Sequence, residues 1–158
     1  MTGIGYLLLI FAFYVLYFSK PKHPYMNWKL ILQLSLFGLF MGLGTVYFIP
    51  STVEPICWLA IFIVCAYLIA KNVSEKFFLH GFFVSLVNCV WITASHILLF
   101  STYSAAHQKE MGMIAQSSMA THPRVMMLIT GPIVGVVSGL ILGLFAIVAS
   151  KIISKKAA

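Results

Sequence analysis

The chain has 158 residues, 61% of them hydrophobic and 8% charged, with a mean hydropathy of +1.02 and a formal charge of +7. Soluble domains carry about 25% charged residues, so these values exclude a soluble globular fold and leave too little polar chain for a separate catalytic domain. The ten basic residues are scattered over short connections instead of forming one basic face, which excludes nucleic acid as a partner and marks them as topology signals.

Five apolar segments predict an all-α integral membrane protein, a compact single-domain bundle of five transmembrane helices. The first, over about 3–18, reads as a retained helix: no basic stretch precedes it, and "SKPKHP" follows where a small-residue cleavage site would lie. The second covers about 30–49 and the third about 56–70, with Pro50 and Pro55 bracketing a tight connection. The fourth covers about 77–103. After a polar connection over 104–124, the fifth covers about 125–150.

The lysines orient this array. Lys20, Lys22, Lys29, Lys71, Lys76, Lys151, Lys155 and Lys156 all fall on one side, leaving Lys109 and Arg124 for the other. The positive-inside rule then predicts an N-out, C-in protein of the inner (cytoplasmic) membrane, with the lipid bilayer as its surroundings. Tyr14, Tyr17, Phe18, Tyr25, Trp28, Tyr47 and Phe48 sit at segment ends, where aromatic rings anchor helices at the interface. Cys57, Cys65 and Cys89 form no CxxC pair and read as small buried apolar residues.

The fourth segment carries a polar stripe. Gly81, Ser85, Asn88, Ile92, Ser95, Leu99 and Thr102 share one helical face, flanked by Cys89 and His96. Polar groups at membrane depth turn inward, so Ser85, Asn88, Ser95 and His96 line a candidate polar path, with Gln33 and Ser35 as available partners. Interhelical hydrogen bonding is the plainer role for the same residues. None of Glu54, Glu75 and Glu110 falls inside a segment; all three are expected on loops.

In the connection over 104–124, Met111, Ile114, Ala115 and Met119 predict a short helix lying on the membrane surface. His107, Met111, Met113, Met119 and His122 are soft ligands suited to Cu(I), but their spacing matches no closed motif, so neither a metal nor a cofactor is expected. No nucleophile–base set or phosphate loop is present, which argues against an enzyme.

The fifth segment holds Gly131, Gly135, Gly139 and Gly143 at every fourth position, and the second holds Gly38 and Gly42. Small residues at this spacing let helix backbones approach closely. The economical expectation is that these two segments pack on each other, or across a homo-oligomer or larger membrane complex. Pro132 predicts a bend, with the Thr130 hydroxyl available to the carbonyl it frees. Function then divides between a non-enzymatic structural or accessory subunit and a small channel or transporter.

"EKFFLHGFFVSL" leading into the striped helix, the polar connection after it, and "HPRVMMLITGPIVGVVSGLILG" running to "KIISKK" resemble a family of uncharacterised small multi-span membrane proteins of Bacteroidetes. The resemblance covers about residues 28–156. It implies a four-helix core in a bacterial inner membrane and supplies no activity.

Overall fold

The computed structural model of the protein describes residues 25–117 and 120–156. The expected first span over 3–18 therefore lies outside the described residues, as does Met119. The described residues form six helices in chain order: α1 (Trp28–Tyr47), α2 (Glu54–Asn72), α3 (Phe77–Leu98), α4 (Phe100–Ala106), α5 (Gln108–Ala115) and α6 (Pro123–Lys156). Among the described residues, α1, α2, α3 and α6 are long and apolar enough to cross a membrane.

Local chemistry sets the helix ends. The Asn27 side chain accepts from the Leu30 N–H at 3.0 Å and caps α1. Pro55 sits in the first turn of α2, where a missing N–H costs nothing. Lys76, left-handed at φ 55°, starts α3, and both the backbone N–H and the Nδ1 of His80 reach its carbonyl, at 3.1 and 2.9 Å. That carbonyl can only accept, so Nδ1 carries the hydrogen and Nε2 is free to accept from the Asn27 N–H at 2.9 Å. His80 is thus fully bonded, joining the starts of α1 and α3.

The expected fourth span does not run unbroken over 77–103. It ends at Leu99, and the short helix α4 restarts it. Pro132 leaves α6 continuous. The carbonyl that Pro132 orphans, one turn back, is that of Leu128, but the Thr130 hydroxyl donates to Met126 at 2.9 Å. The expected local repair of that carbonyl is not made.

Packing follows the order α1, α3, α6, α2, with α3 between α1 and α6. Ile31, Leu34, Cys65, Ile69, Val84 and Leu142 form a common core. The burial pattern is inverted relative to a water-soluble protein. Ser35, Thr45, His80, Ser85, Asn88 and Ser95 are buried, while Leu32, Ile63, Val90, Leu128, Ile133 and Leu144 are exposed. Only 28% of the most apolar stretch of α6 is buried. Apolar outer faces and hydrogen-bonded interiors are what a bilayer solvent selects.

The glycines explain why α3 is central, and they correct the expected pairing. A Cβ on Gly38 would lie 2.5 Å from Cα and 2.7 Å from the carbonyl oxygen of Asn88; one on Gly42 would lie 2.9 Å from Ser95 Oγ. The row on α6 meets the other flank of α3. Gly131 faces Thr93, Gly135 faces Cys89, Gly139 faces Phe82 and Gly143 faces Phe78. Gly81 of α3 reciprocates, with the Leu142 carbonyl 2.7 Å from where its Cβ would be. α1 and α6 therefore each pack on α3, not on each other, because α3 alone offers Gly81 and short polar side chains to both.

Candidate functional site

Two ends of the bundle differ in charge. Helix direction places Lys29, Lys71, Lys76 and Lys151 at one end, and Glu54, Lys109, Glu110 and Arg124 at the other. A cavity of about 380 Å³ opens from the second end between α2, α3 and α6, beneath α4 and α5. From α2 it is lined by Glu54, Trp58 and Phe62, and from α3 by Ser85, Asn88, Cys89, Ile92, Thr93 and His96. Tyr103, Glu110, Met111 and Ile114 form its roof, and α6 adds Met127, Thr130, Gly131, Val134, Gly135 and Ser138. From Ser138 and Ser85 toward the lysine end, Gly139, the next residue, lies against Phe82 and Gly143 against Phe78, and these contacts close the floor.

The floor is polar. Ser138 donates to the Val134 carbonyl at 2.6 Å, so its oxygen accepts from Ser85 at 2.7 Å across the α3–α6 contact. Asn88 Oδ1 accepts from the Gly38 N–H at 3.0 Å. This bond fixes the amide orientation, and it leaves Nδ2, with two hydrogens, buried and unpartnered on a residue that is 2% exposed. An unmet buried donor costs about 1–3 kcal/mol.

The walls are mostly apolar, and the mouth is aromatic and acidic. The Trp58 indole N–H donates to Glu54 Oε1 at 3.2 Å, one turn apart on α2. A hydrogen bond from the Ser51 side chain holds the Glu110 carboxyl below the usual carboxylate range, with His107 and Lys109 also favouring its charged form. Burial pushes the Tyr103 phenol up to about 12, with Glu110 and Glu54 adding to the shift, so Tyr103 stays a neutral hydroxyl.

His96, Tyr103 and His107 form a continuous ring stack, with centroids 4.1 and 4.3 Å apart. His96 Nε2 lies 2.8 Å from Thr45 Oγ1, whose own hydrogen goes to the Met41 carbonyl at 2.9 Å; the imidazole is therefore the donor. His107 Nδ1 lies 3.2 Å from the Tyr103 carbonyl, and its Nε2 is buried without a protein partner. Rings and bonds together hold α4 on the end of α3.

No family model, curated protein or solved structure matches this chain. The site is therefore read from its geometry.

Of the four residues expected to line a path, Ser85, Asn88 and His96 line the cavity. Ser95 lies elsewhere, against Gly42 with its hydroxyl donating to the Trp91 carbonyl at 2.8 Å. Ser35 of α1 meets the stripe through Trp91, whose indole N–H donates to it at 3.2 Å. Gly131 and Gly135 of the glycine row also line the cavity, while Gly139, Gly143, Gly38 and Gly42 lie in closed helix contacts.

The expected short helix forms as α5, and its Met111 and Ile114 line the cavity. Glu54 and Glu110 are helical residues at the cavity, not loop residues. Tyr103, Trp58, Thr93, Thr130 and Ser138 were not among the expected site residues. Two signals for them are in the sequence: the spacing of four between Glu54 and Trp58, and the spacing of seven and then four through His96, Tyr103 and His107.

The arrangement offers two carboxylates and the Trp58 indole at the mouth, apolar walls, and serine hydroxyls at the floor. These are means of holding a small molecule by shape, charge and hydrogen bonding.

Proposed function

We propose that the protein is a polytopic protein of a bacterial inner membrane that binds a small ligand non-enzymatically in the cavity beneath α4 and α5. The observation that carries this reading is the cavity itself. It is a concave, mainly apolar space with a few convergent polar groups, of the size that holds small ligands. The resemblance to the Bacteroidetes membrane family agrees with the setting.

The lysine distribution supports a cytoplasmic C-terminus, and it does so with or without a further span before α1. In that orientation the cavity opens toward the outer side. The accessory-subunit reading drew on close helix contacts at the glycine rows, and within this chain α3 packs against both rows, leaving Gly131 and Gly135 beside the cavity. A continuous path across the bundle is disfavoured by the contacts of Phe78 and Phe82 with α6 at the lysine end.

The test is native mass spectrometry of the detergent-purified protein exposed to neutral alkylphenols, compared with Ile92→Trp, which fills the cavity. One-to-one adducts on the wild type that are lost in the filled variant are the expected result. Equal adduct levels in both proteins would overturn the reading.

A further inference from the structure

We propose that the cavity selects a monovalent organic cation: an ammonium-like head held between Glu54 and Glu110, carrying a compact aromatic or alkyl body that reaches toward Asn88. This inference rests on the ligand-binding reading above and adds the chemical class of the ligand.

The charge argument comes first. The carboxylates lining the cavity are those of Glu54 and Glu110, and each accepts from a neutral donor, the Trp58 indole and the Ser51 side chain. Neither bond cancels a charge. The basic residues of the same end, Lys109 and Arg124, do not line the cavity. Lys109 is exposed beside Glu110 in the chain, and the Arg124 guanidinium lies 4.9 Å over the Phe100 ring. His96, the imidazole that does line the cavity, directs its Nε2–H to Thr45. An anionic headgroup would meet like charge at the mouth, whereas a diffuse cation would meet two carboxylates.

The aromatic lining points the same way. Trp58 lines the cavity with the two carboxylates, and an aromatic face attracts a poorly hydrated cation by about 0.5–2 kcal/mol; Tyr103, its ring stacked between His96 and His107, contributes its neutral phenol edge. Size sets the body: about 380 Å³ is too small for a two-chain lipid and sufficient for one aromatic ring with substituents.

Asn88 lines the inner end of the cavity, and the bond from the Gly38 N–H to its Oδ1 fixes that end in place.

The test uses equilibrium dialysis of the full chain in nonionic detergent, with empty micelles subtracted. The probes are benzyltrimethylammonium and its neutral isostere neopentylbenzene, which differ in charge and hardly in shape. The cation is expected to bind about tenfold more tightly than the isostere. In E54Q/E110Q that advantage is expected to vanish while isostere binding stays within about twofold. Glutamine keeps an acceptor for Trp58 and Ser51, so the fold is retained. Thr130→Lys, at a cavity residue whose hydroxyl bonds only its own helix, is expected to weaken the cation alone and does so without altering either carboxylate.

Equal affinities for the two probes, or cation binding untouched by both E54Q/E110Q and Thr130→Lys, would overturn the charge selectivity. The binding reading would still stand if Ile92→Trp abolished isostere binding. If neither probe bound the wild type above the Ile92→Trp level, both readings would fall.

Discussion

The two halves of α3 run against the same two helices and end in opposite states. Toward the lysine end, Gly81 meets the backbone of α6, Phe78 and Phe82 cover Gly143 and Gly139, and His80 ties α3 to the start of α1. Toward the other end, the nearest neighbours of Gly131 and Gly135 are the side chains of Thr93, Cys89 and Leu86, and a cavity opens beside them. One glycine row thus serves a closed contact and an open space. The difference comes from the partners: backbone and aromatic rings fill the groove at one end, and short side chains leave it unfilled at the other.

The sharpest way to break this contrast is to add a methyl group at each end. Gly81→Ala and Gly38→Ala would push a Cβ into backbone atoms that cannot rotate aside. Each is expected to destabilise by about 3 kcal/mol or to prevent a monodisperse preparation, at the upper end of overpacking costs. Gly131→Ala meets a Thr93 hydroxyl that can turn away and is expected to cost less than about 1 kcal/mol. Thermal unfolding in detergent measures all three, and equal losses at both ends would remove the distinction.

A smaller effect is expected at His80. His80→Ala leaves the Asn27 N–H without its acceptor and removes the Nδ1 bond to the carbonyl of the left-handed Lys76, while the backbone N–H of residue 80 keeps its own bond to that carbonyl, at a cost of about 1–3 kcal/mol. His80→Gln, which can restore the acceptor, is expected to recover part of this loss in the same melting measurement. No difference between the two variants would mean that His80 acts by shape alone.

The smallest effect concerns the cavity roof. The Glu110 carboxyl is held low by Ser51, with His107 and Lys109 beside it and Glu54 and Tyr103 across the mouth. A depressed carboxylate contributes stability that is present above its unfolded pKa and lost as pH falls through its folded value. The protection factor of the α5 amides, the intrinsic exchange rate at the same pH divided by the observed rate, is therefore expected to fall as pH drops below the ordinary carboxylate range, by a modest factor because Glu110 is only partly buried. Glu110→Gln should abolish that pH dependence, and a dependence that persisted would assign it to another group.

Much of the architecture was legible in the residues. Hydropathy located the four long helices to within a few residues at most ends, because an apolar run of spanning length has few other uses. Gly81, Ser85, Asn88 and Ser95 turned inward as their spacing implied. The partners of these faces were not legible. Both glycine motifs have the same local form, and nothing in "GLFMG" or "GPIVG" says which third helix each will meet. The roof was hidden for a related reason: a break at Leu99 redirects α4 and α5 so that Tyr103, Glu110, Met111 and Ile114 close over α2. Such a turn depends on the His96–Thr45 bond and the ring stack, which join residues distant in the chain.

By itself the sequence determined the helices, their apolar outer faces and the charge difference between their ends, because each follows from composition and period along a single segment. The tertiary structure decided that α3 is the centre, that its polar stripe divides between α1 and α6, and that Glu54 and Glu110 from separate elements share one mouth. Those outcomes depend on which backbones can approach each other, and that is set jointly by the small residues of two helices at a time.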